Sequence, residues 1–376
     1  MSKRIMIIAG EASGDKHAAE AVKAIHAKDK DILIEGIAGP QMREAGVKAL
    51  VNAETIAIMG FVEVLKHFRV IIRTYKTIKK ALIKNKPDLI ILVDYPGFNL
   101  KIAQLAKKLN IKVLYYISPQ IWAWKKGRIT KIKETVDYMA VTFPFEVELY
   151  EKAGVPVSYV GSPLLEELPT DLTKEKARGK LNLAQDKRVL GILPGSRQIE
   201  INRILPEMLK TAELLYKKDP ALQFVLPVAS MLSEKDLEKL NTKKLPINFV
   251  DDFYSAIVAS DAVMSTSGTA TLETALLGAP LIIVYKMNPA TFQMIKRIIK
   301  IDTIGLCNIV AGEKVAEEFI QHQANAKAMA SQLDRLLYDE AYHQAICSKL
   351  AGLRGKLHTE SHASEELAKI VFQFFS

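Results

Sequence analysis

The feature that most constrains the fold is a recurring pattern of short, uninterrupted apolar runs, separated by stretches with helical spacing. In the first half the runs are IMIIA (5–9), ILIEGIAG (32–39), LIILVD (89–94) and VLYYIS (113–118), with a helix predicted from about Asp15 to Ala27. The second half repeats the scheme in RVLGILPG (188–195), a helical stretch at 203–218, QFVLPVA (223–229), INFVDD (247–252), DAVMSTSG (261–268) and PLIIVYK (280–286). A strand that is apolar along its whole length needs cover on both faces, and helices between parallel strands supply it. The chain is therefore predicted to be α/β, with two successive Rossmann-like arrays. The polar stretch 161–181, punctuated by Gly and Pro, marks the boundary. This divides the chain into domains 1–165 and 166–345, followed by helices at 346–376 that are expected to pack across the domains. A chain of 376 residues suits two domains of ordinary size.

Composition excludes several classes. The two cysteines, Cys307 and Cys347, form neither a CxxC pair nor a disulfide framework, which fits a reducing cytosol. With seven scattered histidines they offer no metal-ligand spacing, so no metal site is expected. No cofactor is predicted either, since no motif calls for one. The N-terminal apolar run is shorter than the ~7–15 residues of a secretory h-region. No run approaches the ~18 residues of a spanning helix, so a soluble or peripheral protein is expected. The net charge of +10 is uneven: residues 1–160 hold 26 Lys and Arg against 16 Asp and Glu, while the remainder is balanced. That excess attracts an anionic surface, either nucleic acid or anionic lipid.

The motifs fall at the ends of apolar runs. The first is GEASGD, with Gly10, Glu11, Ser13, Gly14 and Asp15. It lacks the GxGxxG spacing, and two acids repel a diphosphate, so the loop suits sugar hydroxyls. A strand-to-helix turn capped by Ser13 or Asp15 is the plainer alternative. Asp94 ends the run 89–94, where open α/β sheets place their sites, and can take a proton from a substrate hydroxyl. A structural, helix-capping Asp is the alternative there.

SPQIWAWKKGR (118–128) sets Gln120, Trp122 and Trp124 beside Lys125, Lys126 and Arg128, suited to sugar faces or phosphate, or else to a packed loop. In LPGSR, Gly195 allows close approach, Ser196 donates, and Arg197 offers a charged fork to phosphate oxygens. Pairing of Arg197 to Glu200 is the competing reading. STSGTATLE places Ser267, Gly268 and Thr269 at a helix start and Glu273 a turn and a half in, where a carboxylate can hold ribose hydroxyls. Asn308, Glu318 and Gln321 add polar groups further on.

A membrane-facing segment is read at 61–86. Phe61, Val62, Leu65, Phe68 and Ile72 follow helical spacing among Arg69, Arg73 and several lysines, as in helices that lie in a headgroup layer. A core-facing amphipathic helix with a wet basic side is the alternative.

The motifs GEASGD, AGPQM (38–42), MGFVEVL (59–65), KPDLIILVDYPGFN (86–99), YYISPQIWAWKKGRI (115–129), LPGSR, SGTATLE and NIVAG (308–312) occur in one order, within a likeness that runs from about residue 5 to beyond 320. In this the chain resembles the lipid-A-disaccharide synthases. The resemblance implies a GT-B fold, two Rossmann-like domains facing across a cleft that the C-terminal helices close. It implies a metal-independent, inverting transfer from UDP-2,3-diacylglucosamine to 2,3-diacylglucosamine 1-phosphate (lipid X), giving the β-1′,6 disaccharide 1-phosphate and UDP. The first domain would hold the acceptor and face the membrane, and the second would hold the UDP-sugar. By the resemblance Asp94 is the general base, with Glu11 as the competing acid, and Arg197 holds the UDP phosphates. Glu273 binds ribose, Asn308 lies near the diphosphate, and Glu11 and Ser13 face the sugars. It further implies a cytoplasmic protein, peripheral on an anionic inner-membrane surface, with no nucleic acid partner and a homodimer as an open option. Cys307 departs from the proline expected there. Another UDP-N-acetylglucosamine enzyme of the same fold, such as a peptidoglycan glucosaminyltransferase or an epimerase, and a non-catalytic binding module are the rival readings.

Overall fold

The computed structural model describes residues 3–57, 64–119, 121, 127–228, 245–289, 292–293 and 303–375, the side chains of 57 and 64–68 excepted. The chain forms two units: Met1–Glu166 joined by Leu357–Ser376, and Glu167–Lys356.

The first unit is a parallel sheet of β1 (Arg4–Ala9), β2 (Leu33–Ala38), β3 (Lys48–Asn52), β4 (Leu89–Val93), β5 (Lys112–Tyr116), β6 (Tyr138–Val141) and β7 (Val157–Tyr159), ordered 3-2-1-4-5-6-7. The connecting helices are α1 (Ala12–Lys28), α2 (Pro40–Glu44), α3 (Glu54–Ala57), α4 (Val64–Asn85), α5 (Pro96–Lys108), α6 (Arg128–Thr135), α7 (Phe145–Lys152) and α8 (Pro163–Glu167). Side chains alternate across the pleat. Ile5, Ile7, Ile91 and Val93 face one layer with Val22 and Ile25 of α1, while Met6, Ile8, Ile90 and Leu92 face the other with Ile78, Leu82 and Ile102 of α4 and α5.

The second unit opens with α9 (Lys174–Lys180) and carries a parallel sheet of β8 (Val189–Leu193), β9 (Gln223–Pro227), β10 (Ile247–Val250), β11 (Ala262–Thr266), β12 (Leu281–Tyr285) and β13 (Glu317–Ile320), ordered 10-9-8-11-12-13. Its further helices are α10 (Gln198–Lys218), α11 (Phe253–Ala259), α12 (Thr269–Leu276), α13 (Leu306–Ala311), α14 (Ala326–Tyr338) and α15 (Glu340–Leu357). The final helix, α16 (Ala363–Gln373), returns to the first unit. Its Leu367, Ala368 and Val371 are buried in the same layer as α1.

At the amino end of the second sheet an ion-pair cluster ties α9 to the strands. Asp261 accepts from Val189 N (2.7 Å), Lys174 Nζ (2.6 Å) and Arg178 Nη2 (2.8 Å), while Arg178 also donates to Ala259 O and Gln185 O. Burial pushes the Asp261 carboxyl up, but Lys174 above all, with Val189 N and Arg178, outweighs it, and the net shift is downward. No helix among the described residues is long and apolar enough to cross a membrane.

Candidate functional site

The strand order reverses between β1 and β4, because later strands extend one way from this pair and earlier ones the other. Such a switch point leaves a crevice at the carboxyl ends of the strands. Ala9 pairs with Val93, so the residues after β1 and β4 emerge side by side. Gly10 is required at this point: the Tyr95 ring lies 2.5 Å from where a Cβ would stand. Helix α1 begins at Ala12, earlier than the sequence suggests, so Glu11 is its extended N-cap residue. The Glu11 carboxylate makes no capping hydrogen bond, and Glu11 and Ser13 are exposed. Gly14 and Asp15 are buried in the first turn. Asp15 spends its carboxylate on the next helix, accepting from Gly39 N (2.7 Å), Gln41 N (3.0 Å) and Met42 N (3.2 Å), and so caps α2.

Asp94 and Tyr95 are both left-handed, at φ of 43° and 46°. Two consecutive non-glycine residues in this region store strain, which persists only where the surroundings enforce it. Here the backbone is pinned from three sides. Asp94 N donates to Tyr116 O (3.0 Å), and Asp94 O accepts from Tyr115 Oη (2.6 Å) and Asn99 Nδ2 (2.8 Å). Asn99 also donates to Val93 O (3.1 Å); its own Oδ1 is buried and without a partner among the described residues. Burial, and next the negative charge of Glu11, push the Asp94 carboxyl up to about 6, against the opposing Tyr95 amide. A carboxylate so tuned is ionised at neutral pH yet basic enough to accept a proton.

The second sheet reverses between β8 and β11, with Leu193 paired to Ser265. After β8, Gly195 takes φ +107°, and its missing side chain leaves room for Thr266 and Glu200. Ser196 is exposed. Arg197 is the extended N-cap residue of α10; its side chain is 81% exposed and pairs with Glu200 Oε1 at 3.1 Å. After β11, Ser267 donates to Ile304 O (3.0 Å), while Gly268 and Thr269 lie exposed at the start of α12. Glu273 is half-buried and accepts from Tyr254 Oη (3.3 Å); burial, then Glu273, raise the Tyr254 phenol to about 12.

Asn308 is only 2% exposed, and all four of its side-chain bonding positions are used. Oδ1 accepts from Val315 N (2.8 Å) and Ala316 N (2.9 Å), and Nδ2 donates to Ala316 O and Glu318 Oε1 (both 2.8 Å). Glu318 also accepts from Ile304 N and Gly305 N (both 2.9 Å) and from Thr303. Glu318 braces the loop that leads into α13 and Asn308 the segment that leaves it. Cys307 beside it is buried, which pushes its thiol up to about 12.

On α4, Thr74, Ile78 and Leu82 face the core, while Arg69, Ile72, Arg73, Lys76, Lys79, Lys80 and Ile83 are exposed. Gln120, Trp122, Trp124, Lys125, Lys126, Phe61 and Val62 lie outside the described residues, as do the side chains of Leu65 and Phe68. Sequence reasoning passed over Tyr115, Asn99 and Tyr254. Of these Asn99, close behind Asp94 in the same motif, and Tyr115, the first residue of the motif 115–129, left a signal, and Tyr254 left none.

The sequence profile of the lipid-A-disaccharide synthetase family matches residues 5–371. Lipid-A-disaccharide synthase of Trichlorobacter lovleyi is 51% identical over 357 residues, covering 94% of this chain and 93% of that protein. That of Geobacter metallireducens is 46% identical, covering 99% and 97%. One from Coxiella burnetii is 42% identical, covering 98% of both. Among solved structures, UDP-GlcNAc 2-epimerase of Neisseria meningitidis bound to UDP-GlcNAc is similar in fold at TM-score 0.63 and 14% identity, covering 100% and 99%. The calicheamicin glycosyltransferase CalG4 is similar at TM-score 0.62 and 13% identity, covering 100% and 98%. The two parallel sheets thus share the GT-B fold with glycosyltransferases and epimerases, and the relatives in sequence say which chemistry is built on it: the chain belongs to the lipid-A-disaccharide synthase family.

Proposed function

We propose that this glycosyltransferase condenses UDP-2,3-diacylglucosamine with 2,3-diacylglucosamine 1-phosphate, releasing UDP and the β-1′,6-linked disaccharide 1-phosphate. The observation that carries the residue-level reading is Asp94, strained, partly desolvated and raised to about 6 at the switch point of the first sheet. The Asp94 carboxylate takes the proton of the acceptor 6-hydroxyl as its oxygen bonds to the anomeric carbon of the donor. The bond from that carbon to the diphosphate breaks, and UDP departs with the electron pair from the opposite face. Glu11 keeps the Asp94 carboxyl from becoming too weak a base.

Arg197 leaves Glu200 to hold the diphosphate, with Ser196 and the start of α12 (Ser267, Gly268, Thr269) adding donors. Glu273 takes ribose hydroxyls. Asp15 and Asn308 serve this site by shaping its loops. The first unit is the acceptor domain and the second the UDP-sugar domain.

Purified protein supplied with both acylated substrates should form disaccharide and UDP. Equal turnover of UDP-N-acetylglucosamine without acyl chains would overturn the assignment in favour of another enzyme of this fold. Replacing Arg197 by Ala should lower kcat about 10²–10³-fold, as when one charge-stabilising donor is removed, and weaken inhibition by UDP. Arg197→Lys should recover only part, because an ammonium cannot bind in a fork.

The exposed face of α4, basic with Ile72 and Ile83 emergent, is proposed to rest on anionic lipid, and the proposed surface is the cytoplasmic face of the inner membrane. Binding to phosphatidylglycerol vesicles should weaken as salt rises toward 1 M, where the Debye length is about 3 Å. It should weaken further in an Ile72→Ser, Ile83→Ser double variant. Unchanged binding in that variant would return α4 to a purely structural role.

A further inference from the structure

The first unit holds a cavity of ≈ 490 Å³ at the start of α5 that no step above uses. It is lined by Pro96, Gly97, Lys101 and Gln104 of α5 and by Arg128 and Lys131 of α6. Gly97, Lys101 and Gln104 are spaced i, i+4, i+7, and Arg128 and Lys131 i, i+3, so each helix turns one face to it. No acidic side chain is among its described lining residues. Lys101 and Lys131 are exposed and make no side-chain ion pair or hydrogen bond among the described residues.

The backbone adds a donor. Pro96 has no N–H, and Phe98 N and Asn99 N both fold back onto Tyr95 O (3.2 and 3.1 Å). The Gly97 N–H is thus without an acceptor among the described residues, and beyond its chain neighbours and its own helix backbone no described atom lies within 4 Å of where a Gly97 Cβ would stand. The lining of the cavity begins at Pro96, two residues after the reacting Asp94.

Three cations, an open amide and no acid suit a compact dianion. A carboxylate of the enzyme placed two residues away suits the sugar that carries it. We propose that this cavity seats the phosphate monoester of the acceptor sugar, with Lys101, Arg128, Lys131 and the Gly97 amide taking its oxygens. The site holds the acceptor by its anomeric phosphate while the far hydroxyl of the same ring is presented for reaction. The proposal rests on the function proposed above.

The test compares the acceptor with and without its phosphate, in wild type and in a Lys101→Ala, Lys131→Ala double variant. Both lysines are exposed on helices that tolerate alanine, and thermal melting checks folding. Wild type should show a much lower KM for the phosphorylated acceptor. The double variant should raise that KM about tenfold per lysine, as expected for a lost charge-assisted contact, and should collapse the ratio between the two acceptors toward one. Arginine at both positions should restore the ratio, and donor KM should not follow it. A wild type indifferent to the phosphate, or a variant that keeps the full ratio, overturns the proposal.

Calorimetric titration with glucosamine 1-phosphate separates this outcome from a failure of the functional assignment. If no disaccharide forms but wild type binds this probe and the variant does not, the anion seat stands and the assigned reaction falls. If disaccharide forms and neither protein distinguishes the probe, the seat falls alone. A variant that loses phosphatidylglycerol vesicle binding while keeping acceptor discrimination would show a lipid headgroup as the occupant and would also overturn the proposal.

Discussion

Asp94→Asn is expected to lower kcat by about 10²–10⁴-fold, the range for removal of a positioned general base, with KM for either substrate little changed. The amide keeps the volume and the left-handed backbone, where asparagine is well tolerated, but cannot take the proton. Wild-type kcat/KM should rise with pH and level off above the carboxyl's value of about 6, because only the ionised form accepts the acceptor proton. That acid limb should vanish from the residual activity of the variant. If the variant keeps wild-type turnover, the base lies elsewhere, with Glu11 the next candidate.

The same substitution is expected to raise stability at neutral pH. A carboxyl whose value rises from 3.8 unfolded to about 6 folded binds more protons in the folded chain. The stability this provides is complete below 3.8 and is lost as pH rises through 6. At pH 7 the folded chain therefore carries a cost of at most about 3 kcal/mol, at 1.36 kcal/mol per unit. Asparagine removes that cost, so the Asn variant should melt later than wild type at pH 7.5 and lose the difference below pH 4. An equal melting temperature at both pH values would contradict the desolvation on which the catalytic reading depends.

Asp261→Ala is expected to cost about 3–5 kcal/mol, the penalty for breaking a buried ion pair by removing one member. Arg178 would remain buried, 5% exposed, and Val189 N would lose its acceptor. Urea denaturation should show the second unit unfolding at markedly lower denaturant. Activity at low temperature should stay within about twofold of wild type, because the cluster sits at the amino ends of β8 and β11, away from the carboxyl ends that bear Arg197 and Glu273. The Asp261 value is lowered, so its stabilisation exists above the unfolded value of 3.8 and fades as pH falls through the folded one. The variant should lack that acid-dependent loss. A stability change under about 1 kcal/mol would mean that solvent already pays most of the desolvation of this cluster.

The long buried strands were legible because a parallel strand covered on both faces reads as an unbroken apolar run: Leu89–Val93 and Leu281–Tyr285 need no tertiary information. The edge strands Lys48–Asn52, Val157–Tyr159 and Glu317–Ile320, half-buried and without such a run, were not, nor was the interior strand Tyr138–Val141, whose run is only four residues; of the edge strands Ile247–Val250 was read. Candidate residues at strand ends could likewise be named from sequence, because open sheets put chemistry there. What those side chains do could not. Asp15 was read as facing sugars or as capping its own helix, yet it caps α2, contributed from 24 residues further on. Asn308 was read as near the diphosphate, and its amide is consumed inside the loop that it braces.

By itself the sequence determined the class of fold, the two arrays and the family, since these follow from periodicity and from motifs held in order along one chain. Strand order, the left-handed turn at Asp94, the upward push on its carboxyl and the return of α16 to the first unit were decided only by tertiary structure. Each depends on groups distant in sequence being brought together, such as Tyr115 in hydrogen-bond contact with Asp94 and Glu11 near enough to act on its charge, and burial and charge act through space and not along the chain.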